Sequence, residues 1–127
     1  MNGKKSEKMI TYKDLIVWQK SISLVTKVYT LTKQYPNSEI YCLVSQIRRA
    51  AISIPSNIAE GYRRKSIGDY LRFLYIANAS ASELETQIII SKNIYQNFNY
   101  SEVDNLLIEV IKMLNSLISK LETKRTK

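Results

Sequence analysis

The chain has 127 residues with only 3 Gly and 2 Pro, and its 19 Lys and Arg against 11 Asp and Glu give a net charge of +8. A single cysteine excludes an intrachain disulfide and a clustered thiolate metal site, and the absence of His excludes imidazole ligands and the commonest general base. We therefore expect one all-α, cytoplasmic domain without a membrane span, for which RNA, DNA or another anionic surface is a candidate partner.

Four stretches with helical periodicity predict four helices, at about 12–34, 38–61, 66–96 and 101–123. They are flanked by a disordered basic arm at 1–10 and a basic tail at 124–127. Capping-box patterns begin at Thr11, Ser66 and Ser101, and Gly61 is the expected C-cap of the second helix. Short connections predict an antiparallel up-down-up-down four-helix bundle. We expect the second helix to be kinked near Pro55 but continuous, because its stripes keep their phase across the proline.

The first predicted helix carries two apolar stripes on adjacent faces. One contains Leu15, Trp18, Ile22, Val25 and Tyr29, and the other contains Val17, Leu24, Val28 and Leu31. Two stripes indicate a wide buried face, which lies either inside the monomer or partly against another subunit.

A polar stripe runs along the second predicted helix at intervals of three and four residues, through Gln46, Arg49, Ser53, Asn57 and Glu60. In a hairpin with the third helix, Ser80 and Glu83 face this stripe. We predict an Arg49–Glu83 ion pair supported by Gln46 and Ser80, and a Glu60–Arg72 contact near the turn. If Arg49 is buried in this way, its replacement by Ala lowers the melting temperature strongly. The alternative is that the stripe faces solvent.

The chain lacks the residue patterns of common enzymes. It contains no Gly-rich phosphate loop, thiolate pair or nucleophile–His arrangement, and Cys42 is expected to be a small buried hydrophobic residue. We therefore predict a protein that is not an enzyme and that needs no cofactor or metal.

Basic and aromatic residues gather around the predicted hairpin turn. The set consists of Arg48, Tyr62, Arg63, Arg64, Lys65 and Arg72. Because Arg and Lys neutralise phosphates and aromatic rings stack on unpaired bases, the set is a candidate nucleic-acid-binding site. A solvated basic loop is the alternative of equal weight.

These residues also carry a family resemblance. The segments are Tyr12–Gln19 (YKDLIVWQ), Gln46–Ala51 (QIRRAA), Ser53–Gly61 (SIPSNIAEG) and Arg72–Ala77 (RFLYIA), followed by Ser80 and Glu83–Glu85. Together they resemble the four-helix bundle proteins encoded in intervening sequences of bacterial 23S rRNA genes, which include the accessory variability protein of diversity-generating retroelements. Cys42 and the Asn78-Ala79 pair depart from the family pattern. Both changes are small enough to affect only local packing.

The resemblance implies an antiparallel bundle that assembles into a ring, commonly a homopentamer, with a basic surface. In the retroelement branch it implies contacts with nucleic acid and with a reverse transcriptase. Two functions follow as expectations. The first is an oligomer that binds RNA or DNA backbones, and the second is a scaffold that docks on another protein, such as a reverse transcriptase, without touching nucleic acid.

Overall fold

A computed structural model describes residues 10–126, and within this range the chain forms four long helices and no strand. These are α1 (Ile16–Thr32), α2 (Ser45–Tyr62), α3 (Ile67–Ile94) and α4 (Ser101–Arg125). The predicted arm at 1–10 lies outside the described residues except for Ile10. The predicted tail begins too early, because Lys124 and Arg125 are still helical.

The four helices form a bundle in which α1 and α3 each pack against both α2 and α4. Two ion pairs join α1 to α4: Lys20 with Glu109 at 3.4 Å, and Lys27 with Glu102 at 3.2 Å. Residue numbers rise along one helix as they fall along the other, so these two helices run in opposite directions.

The core is built from the inward apolar faces of all four helices. Its fully buried members include Leu24, Val28, Ile47, Ile54, Ile58, Leu71, Leu74, Leu84, Val110 and Leu114. Of the two apolar stripes on α1, the one containing Leu24 and Val28 enters this core. The other remains near the surface, with Ile22 39% exposed and Trp18 and Val25 only partly buried. The wide apolar face of α1 is thus only half used within the monomer.

Two predicted helix starts differ from the structure. The capping box at Thr11 is present, but it closes a single 3₁₀ turn, Tyr12–Asp14. Leu15 then adopts an extended conformation with φ −74° and ψ 126°, so that α1 begins only at Ile16.

The start of α2 is also later than predicted. A 3₁₀ turn (Asn37–Glu39) and a π-helical segment (Ile40–Val44) precede it. Tyr41 and Cys42 both lie exposed in the π-helical segment, so the expectation of a buried Cys42 was wrong.

Helix α2 is continuous through the buried Pro55, and a kink there stays a prediction. Gly61 is not a C-cap, since it lies inside α2 and the cap position is Arg63. A Cβ atom on Gly61 would lie 2.8 Å from the Cβ of Phe73. The absence of a side chain at Gly61 therefore lets α2 approach α3 closely.

Candidate nucleic-acid interface

One end of the bundle concentrates positive charge. The turn between α2 and α3 exposes Arg63, Arg64 and Lys65, and Arg72 is exposed in the first turns of α3. Helix α4 ends at the same place, and its Arg125 side chain lies against Gly68. Nη2 of Arg125 is 3.4 Å from the position that a Cβ atom on Gly68 would take. We call these five cations, Arg63, Arg64, Lys65, Arg72 and Arg125, the basic end. Arg125 was missed by sequence reasoning, because only the bundle topology brings α4 to this turn.

Two of these cations are held by local contacts. Arg64 Nη2 donates to Glu60 Oε2 at 2.5 Å, and Arg72 lies 3.9 Å from the Asp69 carboxylate. Their guanidinium groups also lie over the Phe73 ring, 4.8 Å and 4.6 Å from its centroid. The predicted Glu60–Arg72 contact was therefore wrong. Glu60 instead pairs with Arg64 at the i,i+4 spacing, and Arg72 lies near Asp69 at the i,i+3 spacing.

Arg63 and Lys65 differ from these two arginines. Within residues 10–126, neither forms an ion pair, and both are exposed. Their charges are thus the ones most available to an anionic partner.

The two tyrosines of the candidate site pack against each other. Tyr62 and Tyr70 meet edge to face, with their centroids 6.0 Å apart. Burial of Tyr70, helped by the neighbouring Tyr62, raises its pKa to about 12. Tyr70 is thus part of the hairpin packing and is not an open stacking surface. Tyr62 also lines a shallow pocket of about 450 Å³, formed with Ile10, Thr11, Tyr12 and Arg63.

Arg48 does not belong to the basic end, although the sequence analysis grouped it there. Its Nε donates to Thr32 Oγ1 at 2.9 Å, and its guanidinium lies 4.2 Å from the centroid of the Tyr29 ring. Along a helix with a rise of 1.5 Å per residue, Arg48 and Arg63 are about 22 Å apart. Arg48 therefore joins the end of α1 to the start of α2, at the far side of the molecule.

Within residues 10–126, Ser53 is the one residue of the predicted polar stripe that hydrogen-bonds across to α3, and Asn57 bonds back to Ser53 along α2. Ser53 and Ser80 pair through their hydroxyls at 2.8 Å, and Asn57 Nδ2 donates to the Ser53 carbonyl at 2.8 Å. Gln46, Arg49, Glu60 and Glu83 are exposed. The Arg49–Glu83 ion pair is absent from the described part of the chain, so that prediction was wrong. Without this ion pair there is no reason to expect a large loss of stability in Arg49→Ala. We instead expect its free energy of unfolding to change by no more than about 0.5 kcal/mol.

Where the ion pair was expected, the structure has an open polar groove between α2 and α3. Its volume is about 510 Å³, and its lining consists of Tyr41, Ser45, Gln46, Arg49, Ala50, Ser53, Glu83 and Gln87. Gln87 Oε1 is buried there without a hydrogen-bond partner among residues 10–126. We call this feature the polar groove.

A second, apolar groove lies between α1 and α2. It measures about 310 Å³ and is lined by Tyr12, Trp18, Ile22, Val25, Ile52, Pro55, Ser56 and Ala59. Ile22 and Ile52 remain 39% and 42% exposed there. We call it the apolar groove.

Two further features of residues 10–126 concern clusters of metal ligands and membrane-spanning helices. No three His, Cys, Asp or Glu side chains in this range are grouped so that they could hold a metal ion. Each helix of this range is also too short or too polar to span a bilayer.

Comparison with known proteins decides the family. Residues 13–116 match the model of the family described as 23S rRNA-intervening sequence protein. The chain belongs to this family. The resemblance seen in the sequence is thereby confirmed, whereas the link to the accessory variability protein of retroelements stays a prediction.

A solved structure supports the fold of this 23S rRNA-intervening sequence family member. A crystal structure from Bacteroides thetaiotaomicron, of a protein with unknown function from the S23 ribosomal protein family, is similar with a TM-score of 0.73 and 26% sequence identity. The similarity covers 81% of this chain and 98% of the Bacteroides chain. No curated protein matches the chain. The four-helix fold is thus shared with a relative, and neither match points to an enzymatic activity.

Proposed function

We propose that this protein is a non-enzymatic family member that binds the backbone of RNA or DNA through the basic end. The observation that carries the proposal is the meeting of cations from the α2–α3 turn, α3 and α4 at one end of the bundle. A protein that neutralises phosphates with Lys and Arg releases the counterions of the nucleic acid, which favours binding.

The balance of charge at the basic end supports this proposal. Two of its five cations pair with carboxylates, Arg64 with Glu60 and Arg72 with Asp69. Arg63, Lys65 and Arg125 form no ion pair within residues 10–126. Because the contacts go to phosphates, we expect binding that depends little on sequence and falls steeply with salt.

Charge reversal at Arg63 and Lys65 tests the proposal. In the double variant Arg63→Glu/Lys65→Glu, we expect retention of structured RNA to fall at low salt. The slope of log affinity against log salt should become shallower by about 2, since each lost phosphate contact changes it by about 1.

The matched control is Lys33→Glu/Lys112→Glu, which changes the net charge equally at exposed positions away from the basic end. This control should lose far less affinity. Equal losses in the two variants would show that only the total charge matters, and unchanged RNA retention in the Arg63→Glu/Lys65→Glu variant would overturn the proposal.

We further propose that the protein is a homo-oligomer, pentameric by its family resemblance. A ring needs two different surfaces on each subunit that fit each other. The bundle offers the apolar groove on its α1/α2 side. On the opposite α3/α4 side, Ile89 is 54% exposed and Ile108 49% exposed beside a groove of about 240 Å³. Unpartnered apolar surface of this kind is typical of interaction sites.

The molar mass measured by light scattering tests whether the protein is an oligomer. The wild type should have several times the mass of one chain, and Ile52→Glu and Ile89→Glu should each shift the protein to the monomer. Ile76→Glu is the control, because Ile76 is 41% exposed and lines neither groove. A monomeric wild type would contradict the ring.

The same exposed apolar surfaces favour the second candidate function, a scaffold that docks on another protein such as a reverse transcriptase. In that case the basic residues only keep the protein in solution. The wild type then retains no RNA, and the Arg63→Glu/Lys65→Glu variant still retains its protein partner. A reducing cytoplasm suits either function, since the single exposed cysteine has no partner for an intrachain disulfide.

A further inference from the structure

The polar groove has the composition of a ligand site. Its volume of about 510 Å³ lies within the usual range for small-molecule pockets, roughly 300–1,000 Å³. The groove combines the Arg49 cation, the Glu83 carboxylate and the Gln46 and Gln87 amides. No side chain of these four makes a hydrogen bond with another side chain or the backbone in the described part of the structure.

Gln87 lines the polar groove with a buried amide oxygen. Its Oε1 atom is buried and unpaired, and a buried acceptor without a partner costs about 1–3 kcal/mol. If the Gln87 side chain rotates toward the groove, a ligand N–H group can reach Oε1 and remove this cost. The ligand class is therefore one that brings hydrogen-bond donors into the groove.

The neighbouring groups narrow that class. Arg49 supplies donors, whereas Glu83 and Gln87 Oε1 supply acceptors. The two amides can donate or accept, so Arg49 and Glu83 set the pattern. The complementary ligand has an acceptor for Arg49 beside two donors on one edge, because a carboxylate can accept from two N–H groups. Among the nucleobases, guanine has this edge, with the O6 acceptor, the N1–H donor and the N2 amino group. Uracil places one donor between two acceptors, and cytosine has one donor beside two acceptors.

Tyr41 adds a stacking surface at the same site. Its side chain is 92% exposed and lines the polar groove beside Arg49. An exposed aromatic ring next to a cation is a common platform for an unpaired base. Tyr41 lies in the π-helical segment Ile40–Val44, directly before α2 begins.

We propose that the polar groove binds an unpaired guanine nucleotide, with the base stacked on Tyr41, its O6 facing Arg49 and its N–H groups facing Glu83 and Gln87. The inference rests on the proposed function, because the groove would select one base of the nucleic acid that the basic end holds. It adds sequence preference, which phosphate contacts alone do not provide.

The test measures the binding of GMP, AMP, CMP and UMP by isothermal titration calorimetry. We expect GMP to bind about tenfold or more tightly than UMP, since one good bidentate contact gives discrimination of this size. Glu83→Gln should weaken GMP binding about tenfold, because an amide replaces one acceptor oxygen with a donor. Tyr41→Ala should weaken all four nucleotides.

Glu85→Gln is the matched control, since Glu85 is exposed on α3 and does not line the polar groove. It should leave GMP binding unchanged. Equal affinity for the four nucleotides, or no binding of GMP, would overturn the inference. Binding of N-acetylarginine amide in place of GMP would assign the groove to a basic peptide and would overturn it as well.

The two proposals fail separately. Loss of RNA retention in Arg63→Glu/Lys65→Glu with GMP binding intact supports both. If GMP does not bind but RNA retention still depends on Arg63 and Lys65, the guanine site is wrong and the proposed function stands.

Discussion

At the level of single residues, the close approach of α2 to α3 near the turn depends on Gly61. A Cβ atom at this position would lie 2.8 Å from Phe73 Cβ and 3.1 Å from the Tyr70 carbonyl oxygen. Neither atom can move away freely, because one is fixed to the α3 backbone and the other belongs to it. The sequence suggested a helix end at this glycine, and the structure shows a packing requirement instead.

We predict that Gly61→Ala destabilises the protein by about 1–3 kcal/mol, the usual cost of overpacking, despite the better helix propensity of Ala. Urea denaturation followed by circular dichroism measures the change. Gly68→Ala is the control, since the new methyl group would meet only the flexible Arg125 side chain at 3.4 Å. A neutral or stabilising Gly61→Ala would contradict the packing argument.

Arg49 and Glu83 show where residue patterns stop being informative. Their spacing placed both residues correctly beside the α2–α3 contact, and both line the same groove. Whether they pair depends on the rotation of each helix and on the side-chain rotamers, which helical periodicity does not specify. The shorter Ser53 and Ser80 side chains meet because the helices come close at that level.

At the level of helices, start signals in the sequence have two different outcomes. Ser66 caps α3 as predicted, and its hydroxyl accepts from the Asp69 amide at 3.1 Å. Ser101 is instead the first residue of α4 and caps nothing. Its amide donates to Asn99 Oδ1 at 3.0 Å, so that Asn99 organises this turn.

We expect Ser66→Ala to cost about 1 kcal/mol of stability, the typical loss for an N-cap hydroxyl. Ser101→Ala should cost clearly less, because Asn99 Oδ1 still accepts from the amide of residue 101. Parallel urea titrations of the two variants give the comparison. Equal losses would show that the hydroxyl of Ser101 contributes as a cap after all.

At the level of the whole molecule, the two ends of the bundle differ in chemistry. The end opposite the basic end holds an aromatic cluster, in which Tyr35 stacks on Phe98 with a centroid distance of 4.9 Å. The Tyr35 hydroxyl hydrogen-bonds to the buried Ser91, which also pairs with Tyr100 at 2.9 Å. Burial raises the pKa of Tyr35 above its ordinary value, as it does for Tyr70 at the basic end.

These raised pKa values predict a loss of stability in alkali. Tyr70 keeps its proton up to about pH 12, whereas the unfolded chain loses it near pH 10.0. The unfolded state therefore binds fewer protons between these values, and stability falls as the pH rises through this window. Below about pH 10 the tyrosine contributes no pH dependence.

Urea midpoints across this range measure the effect. Tyr70→Phe should flatten the decline between about pH 10 and pH 12, because the titrating hydroxyl is gone. Absorbance of the phenolate band in the folded protein should also lose its step near pH 12. An unchanged slope in the variant would exclude a contribution from Tyr70.

The sequence by itself determined the all-α class, the number of long helices in residues 10–126, most of the core and the family. These follow from apolar periodicity and from segments such as SIPSNIAEG, which are local properties of the chain. Tertiary structure alone decided which α1 stripe enters the core, the separation of Arg48 from the basic end, the arrival of Arg125 there and the opening of the polar groove. Each of these depends on how one helix is rotated and placed against another, and such distances are set by packing between residues far apart in the chain.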